Sequence, residues 1–154
     1  MKLYLVQHGN ALSKEQDPQR PLSEKGTKDV SKVAEFLKGL DISIEALWHS
    51  GKARAAQTAR ILGNALGKGD GLEQHEGLAP NDDVQNVVRE ISSAGADIMI
   101  VGHLPFLSKL TSLLLVGDES ADIVQFKQAG IVCLEEDDAK WRLSWFLTPQ
   151  LLDS

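Results

Sequence analysis

Two segments far apart in the chain have the same construction, an apolar strand that stops at a histidine. Residues 2–10 read KLYLVQHGN and residues 97–105 read DIMIVGHLP. In an open α/β sheet the carboxyl ends of neighbouring parallel strands border one crevice. We therefore expect His8 and His103 to meet over a single ligand, and an anion-handling active site is the first hypothesis.

The rest of the chain alternates between strand and helix periods, which is the pattern of a mainly parallel sheet flanked by helices. Strands are predicted over 2–6, 45–49 and 97–102, with a polar loop over the site at 10–22. Helices are predicted from the N-cap Ser23 to near Gly39, over about 52–66 and 82–93, and from Pro105 in a first turn to Gly117.

The last third of the chain changes to a period of two. Trp141, Leu143, Trp145 and Leu147 alternate with other side chains, and an acidic turn from Glu135 to Asp138 separates them from the apolar run 130–134. This pattern predicts a β-hairpin added to the sheet. We expect one three-layer α/β domain over residues 1–154, with a mainly parallel central sheet and an antiparallel C-terminal hairpin.

Composition excludes several classes of partner. The 154 residues are 42% hydrophobic, enough for one core, and the net charge of −6 argues against a general nucleic-acid or acidic-membrane surface. Cys133 lies in an apolar run and has no second cysteine to pair with, so it is expected to be a buried thiol. The first strand starts at residue 2, and no apolar run approaches the roughly 18 residues of a membrane span. A soluble cytoplasmic protein is the expectation.

A third segment, residues 48–59, runs from an apolar strand end into a helix whose first turn carries Arg54. Free amides at a helix start and a guanidinium are suited to holding phosphate. The four histidines and one cysteine have no metal-ligand spacing, so no metal and no other cofactor is expected. His49 and His75 fit no motif position well and are interpreted as structural or surface residues.

Three motifs together resemble the histidine phosphatase (phosphoglycerate mutase-like) superfamily. They are residues 6–11 (VQHGNA), Ser50 with residues 54–59 (RAAQTA), and residues 101–105 (VGHLP). The short chain and residues 20–26 (RPLSEKG) resemble its small SixA-type branch, which removes phosphate from phosphohistidine. The resemblance extends from residue 2 to about 148.

The resemblance implies a role for each motif residue. His8 would attack phosphorus and carry the phosphoryl group, while Arg54 and His103 would grip the transferring oxygens. Arg20 would supply a further cation from its loop. Gln7 and Gly9, which flank His8, would complete the phosphate-binding set. A neutral imidazole at a strand end is chemically suited to the first role, since it can form a phosphoramidate that water later hydrolyses.

Two positions depart from the wider family. The first motif normally has Arg where this chain has Gln7. A neutral hydrogen bond from the Gln7 amide in place of a charge-assisted one weakens phosphate binding by roughly 1–2 kcal/mol. The usual acid that protonates an alkoxide leaving group has Glu76 as its nearest match, with Asp82 or Asp83 behind it. Imidazole, with a pKa of ~6.5, leaves with far less help than an alkoxide. The lack of a clear proton donor therefore favours phosphohistidine as substrate.

The sequence thus predicts a phosphohistidine phosphatase that acts on phosphorylated signalling or phosphocarrier proteins and releases inorganic phosphate. A phosphomonoesterase for a small metabolite is the alternative among enzymes. A catalytically weakened module that binds phosphorylated partners is the alternative from a different class, because Gln7 replaces a charged ligand. The sequence names neither the substrate protein nor the oligomeric state.

Overall fold

Strands and helices alternate through residues 1–153, the part of the chain that this computed structural model describes. The strands are β1 (Lys2–Gln7), β2 (Ala46–His49), β3 (Leu72–Gln74), β4 (Ile98–Gly102), β5 (Ile131–Asp137) and β6 (Lys140–Leu147). The helices are α1 (Glu24–Lys38), α2 (Ala53–Ala65), α3 (Val84–Ala94) and α4 (Phe106–Val116), with short 3₁₀ turns at Glu119–Ala121 and Pro149–Leu152. No helix within these residues is both long and apolar enough to cross a membrane.

The strands form one mixed sheet in the order β3-β2-β4-β1-β5-β6. The first four strands of that order are parallel, whereas β5 runs antiparallel to β1 and β6 antiparallel to β5. The predicted α/β fold, with a mainly parallel sheet and an antiparallel C-terminal hairpin, is confirmed. The sequence reading missed β3, since three residues are too few to show a period.

Each face of the sheet carries its own apolar core, which gives the domain three layers. Tyr4 and Val6 of β1 face α1 and α2, whereas Leu3 and Leu5 face α3 and α4. All five residues of β4 are buried, because that strand lies inside the sheet with helices on both sides. Cys133 is fully buried in β5, as expected. The helices therefore hold β1 and β4 rigidly at the centre of the molecule.

The helix boundaries follow the predicted stop and start signals to within about two residues. Ser23 caps α1 by accepting the N–H of Gly26 over 3.0 Å, and Gly117 ends α4 with a φ of +76°. Pro105 is the N-cap of α4 and not a first-turn residue, so the helix starts one position later than expected.

The prediction of an acidic turn from Glu135 to Asp138 is wrong, because Glu135–Asp137 belong to β5. The reversal is made by Asp138 and Ala139, whose φ values of +52° and +61° match the two left-handed residues of a tight hairpin.

The register of the parallel strands aligns three chain segments at one edge of the sheet. Gln7 is paired with Gly102, and His49 with Val101. The next residues, His8, His103 and Ser50, therefore leave the sheet at the same edge. This alignment brings distant parts of the sequence to one place.

Candidate active site

The two strand-end histidines lie against each other, as the sequence predicted. The ring centroids of His8 and His103 are 5.0 Å apart, with 54° between the ring planes. His8 is 8% exposed and His103 is 2% exposed, so both residues are buried at the carboxyl ends of their strands. Each histidine directly follows a central strand of the sheet.

His8 is held in one tautomer by its own backbone neighbour. Its Nδ1 lies 2.7 Å from the carbonyl oxygen of Gly9, and a carbonyl can only accept, so Nδ1 carries the proton. Burial lowers the pKa of His8, and the charges of Arg54 and Arg20 add to this, against the opposing effect of the Gly9 hydrogen bond. The ring is neutral near pH 7, with its lone pair on Nε2. A lone pair so placed is a nucleophile.

Several basic side chains lie around His103. Burial, followed by the charges of His8, Arg54, Lys52 and Arg20, lowers the pKa of His103 to about 3. Its Nε2 lies 2.6 Å from the hydroxyl oxygen of Ser50, and its Nδ1 is buried with no hydrogen-bond partner in the described part of the chain. The free site therefore holds a neutral imidazole with one unsatisfied nitrogen.

Two arginines contribute positive charge near the histidines. Arg54 lies in the first turn of α2, and both burial and the charge of Arg20 lower its pKa from the ordinary value. Arg20 has a φ of +48°, a strained conformation for a non-glycine residue, and its Nε donates to the carbonyl oxygen of Leu12 over 3.1 Å. In a chain of net charge −6, this concentration of positive charge is local and suits an anion.

The loop between β1 and α1 is held by one hydrogen bond to α2 and by another within the loop. The N–H of Leu22 donates to Oε1 of Gln57 in α2 over 2.7 Å, and the N–H of Ser23 donates to the carbonyl oxygen of Asn10 over 2.9 Å. Arg20 is thus carried by an anchored loop.

Gly9 contributes close packing and a connection to α2. A Cβ at Gly9 would lie 2.8 Å from Cγ2 of Val30, so only glycine fits without a shift. Its N–H donates to Oγ1 of Thr58 over 3.1 Å. The backbone N–H is therefore already paired with the protein, and the role of Gly9 as a phosphate ligand stays a prediction.

Gln7 ends β1 immediately before His8. Its side-chain Oε1 is buried without a hydrogen-bond partner among residues 1–153. An uncharged amide therefore stands beside the histidine pair, where the resemblance places a guanidinium.

The other acidic and histidine candidates differ in their surroundings. Glu76 follows β3, is exposed, and makes no side-chain hydrogen bond or ion pair within the described residues, so its role as an acid stays a prediction. His75 stacks on Trp48 at 4.0 Å and pairs with Glu90 at 2.5 Å, and His49 accepts the N–H of Gly51. Both have the contacts expected of structural residues.

The sequence reading gave no role to Ser50 or Thr58, although signals for both were present. Ser50 follows a strand just as the two histidines do. Thr58 is a fully buried polar residue on the apolar face of α2, between Ala55 and Leu62. A hydroxyl in that position must find partners, which here are Gly9 and the carbonyl oxygen of Arg54.

Comparison with known proteins decides the family. The model of the histidine phosphatase superfamily (branch 1) matches residues 3–82, which include His8, Arg20, Ser50 and Arg54. The chain belongs to the histidine phosphatase superfamily.

Two relatives match nearly the whole chain, and the first supports the SixA-type branch of this superfamily. The phosphohistidine phosphatase SixA of Escherichia coli is 27% identical over 155 residues, covering 97% of this chain and 94% of the relative. An uncharacterised protein of Picosynechococcus is 31% identical over 147 residues, covering 91% and 88%.

Solved structures agree with these relatives. The protein histidine phosphatase SixA in complex with tungstate superposes with a TM-score of 0.86 at 26% identity, covering 99% of this chain and 100% of that one. The α-ribazole phosphatase of Shigella flexneri, at 15% identity and a TM-score of 0.80 over 97% of each chain, shares the fold. The family and the relatives together support a phosphatase.

Proposed function

We propose that this protein hydrolyses phosphohistidine on another protein through a covalent intermediate on His8. The observation that carries the proposal is the hydrogen bond from Nδ1 of His8 to the carbonyl oxygen of Gly9. That bond leaves the lone pair of a neutral ring on Nε2, beside a second histidine and two arginines. A nucleophile in these surroundings is suited to attack a phosphoryl group that carries two negative charges.

The reaction has two displacements at phosphorus. In the first, Nε2 of His8 forms a bond to phosphorus while the P–N bond to the substrate imidazole breaks. The substrate ring carries a proton on its other nitrogen, so it leaves as neutral imidazole with the electron pair on the departing nitrogen. In the second, water attacks phosphorus and loses a proton, and the P–N bond to His8 breaks. Inorganic phosphate leaves, and the neutral His8 ring is restored.

The positive groups bind the three equatorial oxygens during both displacements. Arg54 and Arg20 supply guanidinium groups, and His103 adds a hydrogen-bond donor next to the nucleophile. Gln7 donates a neutral hydrogen bond from its amide nitrogen. Preorganised donors of this kind stabilise the charge of the transition state without needing to reorganise during the reaction.

The leaving group favours phosphohistidine over alcohol esters. His8 and His103 have their pKa values shifted by burial and by cations, and no carboxylate contributes to either shift. Glu76, the proposed acid, is exposed. Imidazole has a conjugate-acid pKa of ~6.5 and leaves readily, whereas an alkoxide requires a well-placed acid.

A module that binds phosphorylated partners with little turnover is the second candidate. Gln7 supports it, because a neutral side chain with an unpartnered oxygen contributes less to oxyanion binding than an arginine. Phosphate binding without phosphoryl transfer would be its signature.

The deciding experiment measures phosphate release from a phosphohistidine-bearing protein and from an aryl phosphate, without added metal. Wild type, His8→Ala and the control His75→Gln are compared, because His75 stacks on Trp48 outside the site. Release from the phosphoprotein that is lost in His8→Ala and kept in His75→Gln supports the proposal. Release from the aryl phosphate alone favours a metabolite phosphatase. Phosphate binding without release from either substrate favours the binding module.

A further inference from the structure

Ser50 is the hydrogen-bond partner of His103. Its Oγ lies 2.6 Å from Nε2 of His103, while Nδ1 of the same ring is buried and unpartnered within residues 1–153. In the described structure the His103 side chain is therefore held by a single hydrogen bond. The residue that makes this bond determines which nitrogen of the ring is left without a protein partner.

The backbone around Ser50 fixes the position of its hydroxyl. The N–H of Lys52 points to Oγ of Ser50 over 3.4 Å, and the N–H of Gly51 donates to Nδ1 of His49 over 3.1 Å. Gly51 has a φ of +90°, which turns the chain from β2 into α2. The hydroxyl is thus built into the turn that also starts the helix of Arg54.

The donors and acceptors of Ser50 and His103 explain what the hydroxyl contributes. A serine hydroxyl both donates and accepts, so it can pair with Nε2 whether or not that nitrogen carries a proton. The titratable groups that face His103 are His8, Arg54, Lys52 and Arg20, all basic, and the positive charges among them oppose a second proton on the ring. When a dianionic phosphoryl group enters, its negative charge favours a second proton on the His103 ring. Nε2–H then donates to Ser50, and Nδ1–H, which has no protein partner, donates to the anion.

We infer that Ser50 is a positioning residue that holds Nε2 of His103 and so commits Nδ1–H to the transferring phosphoryl group. The inference deepens the proposed function and rests on it for the identity of the anion. It assigns Ser50 no contact with phosphorus, since its effect passes through the His103 ring.

The test compares Ser50→Ala, which removes the hydroxyl, with Ser50→Thr, which keeps one. Ser108→Ala is the matched control, because Ser108 lies on α4 and its hydroxyl donates to Asp122 away from the histidines. The probe is tungstate, with inorganic phosphate as a second anion, and neither requires turnover. Binding is measured by calorimetry, and the ring nitrogens of His103 are followed by ¹⁵N NMR over a pH titration with and without the anion.

In wild type, anion binding should place protons on both nitrogens of His103 and raise its titration midpoint. Ser50→Ala should bind tungstate about tenfold more weakly, the effect of losing one hydrogen bond, and should shift the anion-bound midpoint to lower pH. Ser50→Thr should recover most of the affinity, and Ser108→Ala should behave as wild type.

Unchanged tungstate affinity and an unchanged His103 titration in Ser50→Ala would overturn the inference. A wild-type His103 that keeps a single proton with anion bound would overturn it as well, and this NMR measurement needs no variant. A failure of the proposed function is distinguishable, since phosphohistidine would then go unhydrolysed while Ser50→Ala still weakened tungstate binding.

Discussion

The backbone N–H of Gly9 donates to Oγ1 of Thr58 over 3.1 Å, and this bond joins the residue after His8 to α2. The same hydroxyl donates to the carbonyl oxygen of Arg54 over 2.8 Å. Thr58 is fully buried, so no water replaces it. One hydroxyl therefore links the first motif to the second, and it fixes the proposed nucleophile relative to the start of the arginine-bearing helix.

Thr58→Val should destabilise the protein and slow phosphate release. The variant leaves the buried N–H of Gly9 without an acceptor, a loss of about 1–3 kcal/mol in the free energy of unfolding. Thr111→Val is the matched control, because Thr111 is equally buried and its hydroxyl also donates to a carbonyl four residues earlier. Urea unfolding of both variants measures the difference. Equal losses in the two variants would show that the bond to Gly9 adds nothing.

Gln7→Arg should bind phosphate or tungstate about tenfold more tightly, because a charge-assisted bond replaces a neutral one. Gln7→Met is the companion variant, since it keeps the length of the side chain and removes the buried, unpartnered Oε1. It should unfold at the same or higher urea concentration and bind the anion more weakly. Calorimetric titration gives the affinities, and unchanged affinity in both variants would remove Gln7 from the proposed binding set.

The meeting of His8 and His103 could be predicted from sequence because it depends on topology. Strands that are apolar throughout must be buried on both faces, and their carboxyl ends then share one edge of a parallel sheet. The hairpin was also visible from the alternating sequence of β6. The burial of β6 departs from strict alternation, because the register shifts opposite Cys133 and Leu134: Trp141 and Trp145 pack on opposite faces of the sheet and Leu143 is exposed.

Other features depended on three-dimensional neighbours that no spacing encodes. The tautomer of His8 follows from a 2.7 Å contact with Gly9, and the role of Ser50 follows from the orientation of the His103 ring. The two-residue turn at Asp138 and Ala139 was missed because acidic residues suggested a longer loop, whereas Glu135–Asp137 continue the strand. Local composition was overridden by strand pairing.

Acid should destabilise the protein through its buried histidines. His103 has a folded-state pKa of about 3, and burial also lowers the pKa of His8 and of His49. Below pH ~6.5 the unfolded chain binds protons that the folded histidines do not, so the free energy of unfolding falls as the pH falls. Each such group should contribute a slope of about 1.4 kcal/mol per pH unit until its folded pKa is reached.

Urea midpoints between pH 7 and pH 4 check this slope. His103→Asn removes one depressed group, so its stability should fall less steeply with acid than that of wild type. A variant with the wild-type slope would mean that His103 is protonated as easily in the folded protein as in the unfolded chain.

Arg54→Lys should reduce kcat/KM for phosphate release by about tenfold, because lysine keeps the charge and loses the second bond of the planar guanidinium. Arg60→Lys is the control on the same helix, since Arg60 is exposed. If the two variants retain the same kcat/KM, then Arg54 acts only as a distant charge.

Glu76→Gln separates the two classes of leaving group. Glu76 is exposed and has no partner in the part of the chain that the structure describes. Imidazole departs readily without an acid, so the variant should retain phosphohistidine hydrolysis to within about twofold. Any hydrolysis of an alkyl phosphate should fall much further, because an alkoxide depends on an acid. Glu73→Gln is the control, since Glu73 is a nearby exposed carboxylate that lies 3.6 Å from His75. Parallel rate measurements on both substrates decide the role. A large loss with phosphohistidine that Glu73→Gln does not share would identify Glu76 as the acid for this substrate, brought to the histidine pair when the phosphoprotein binds.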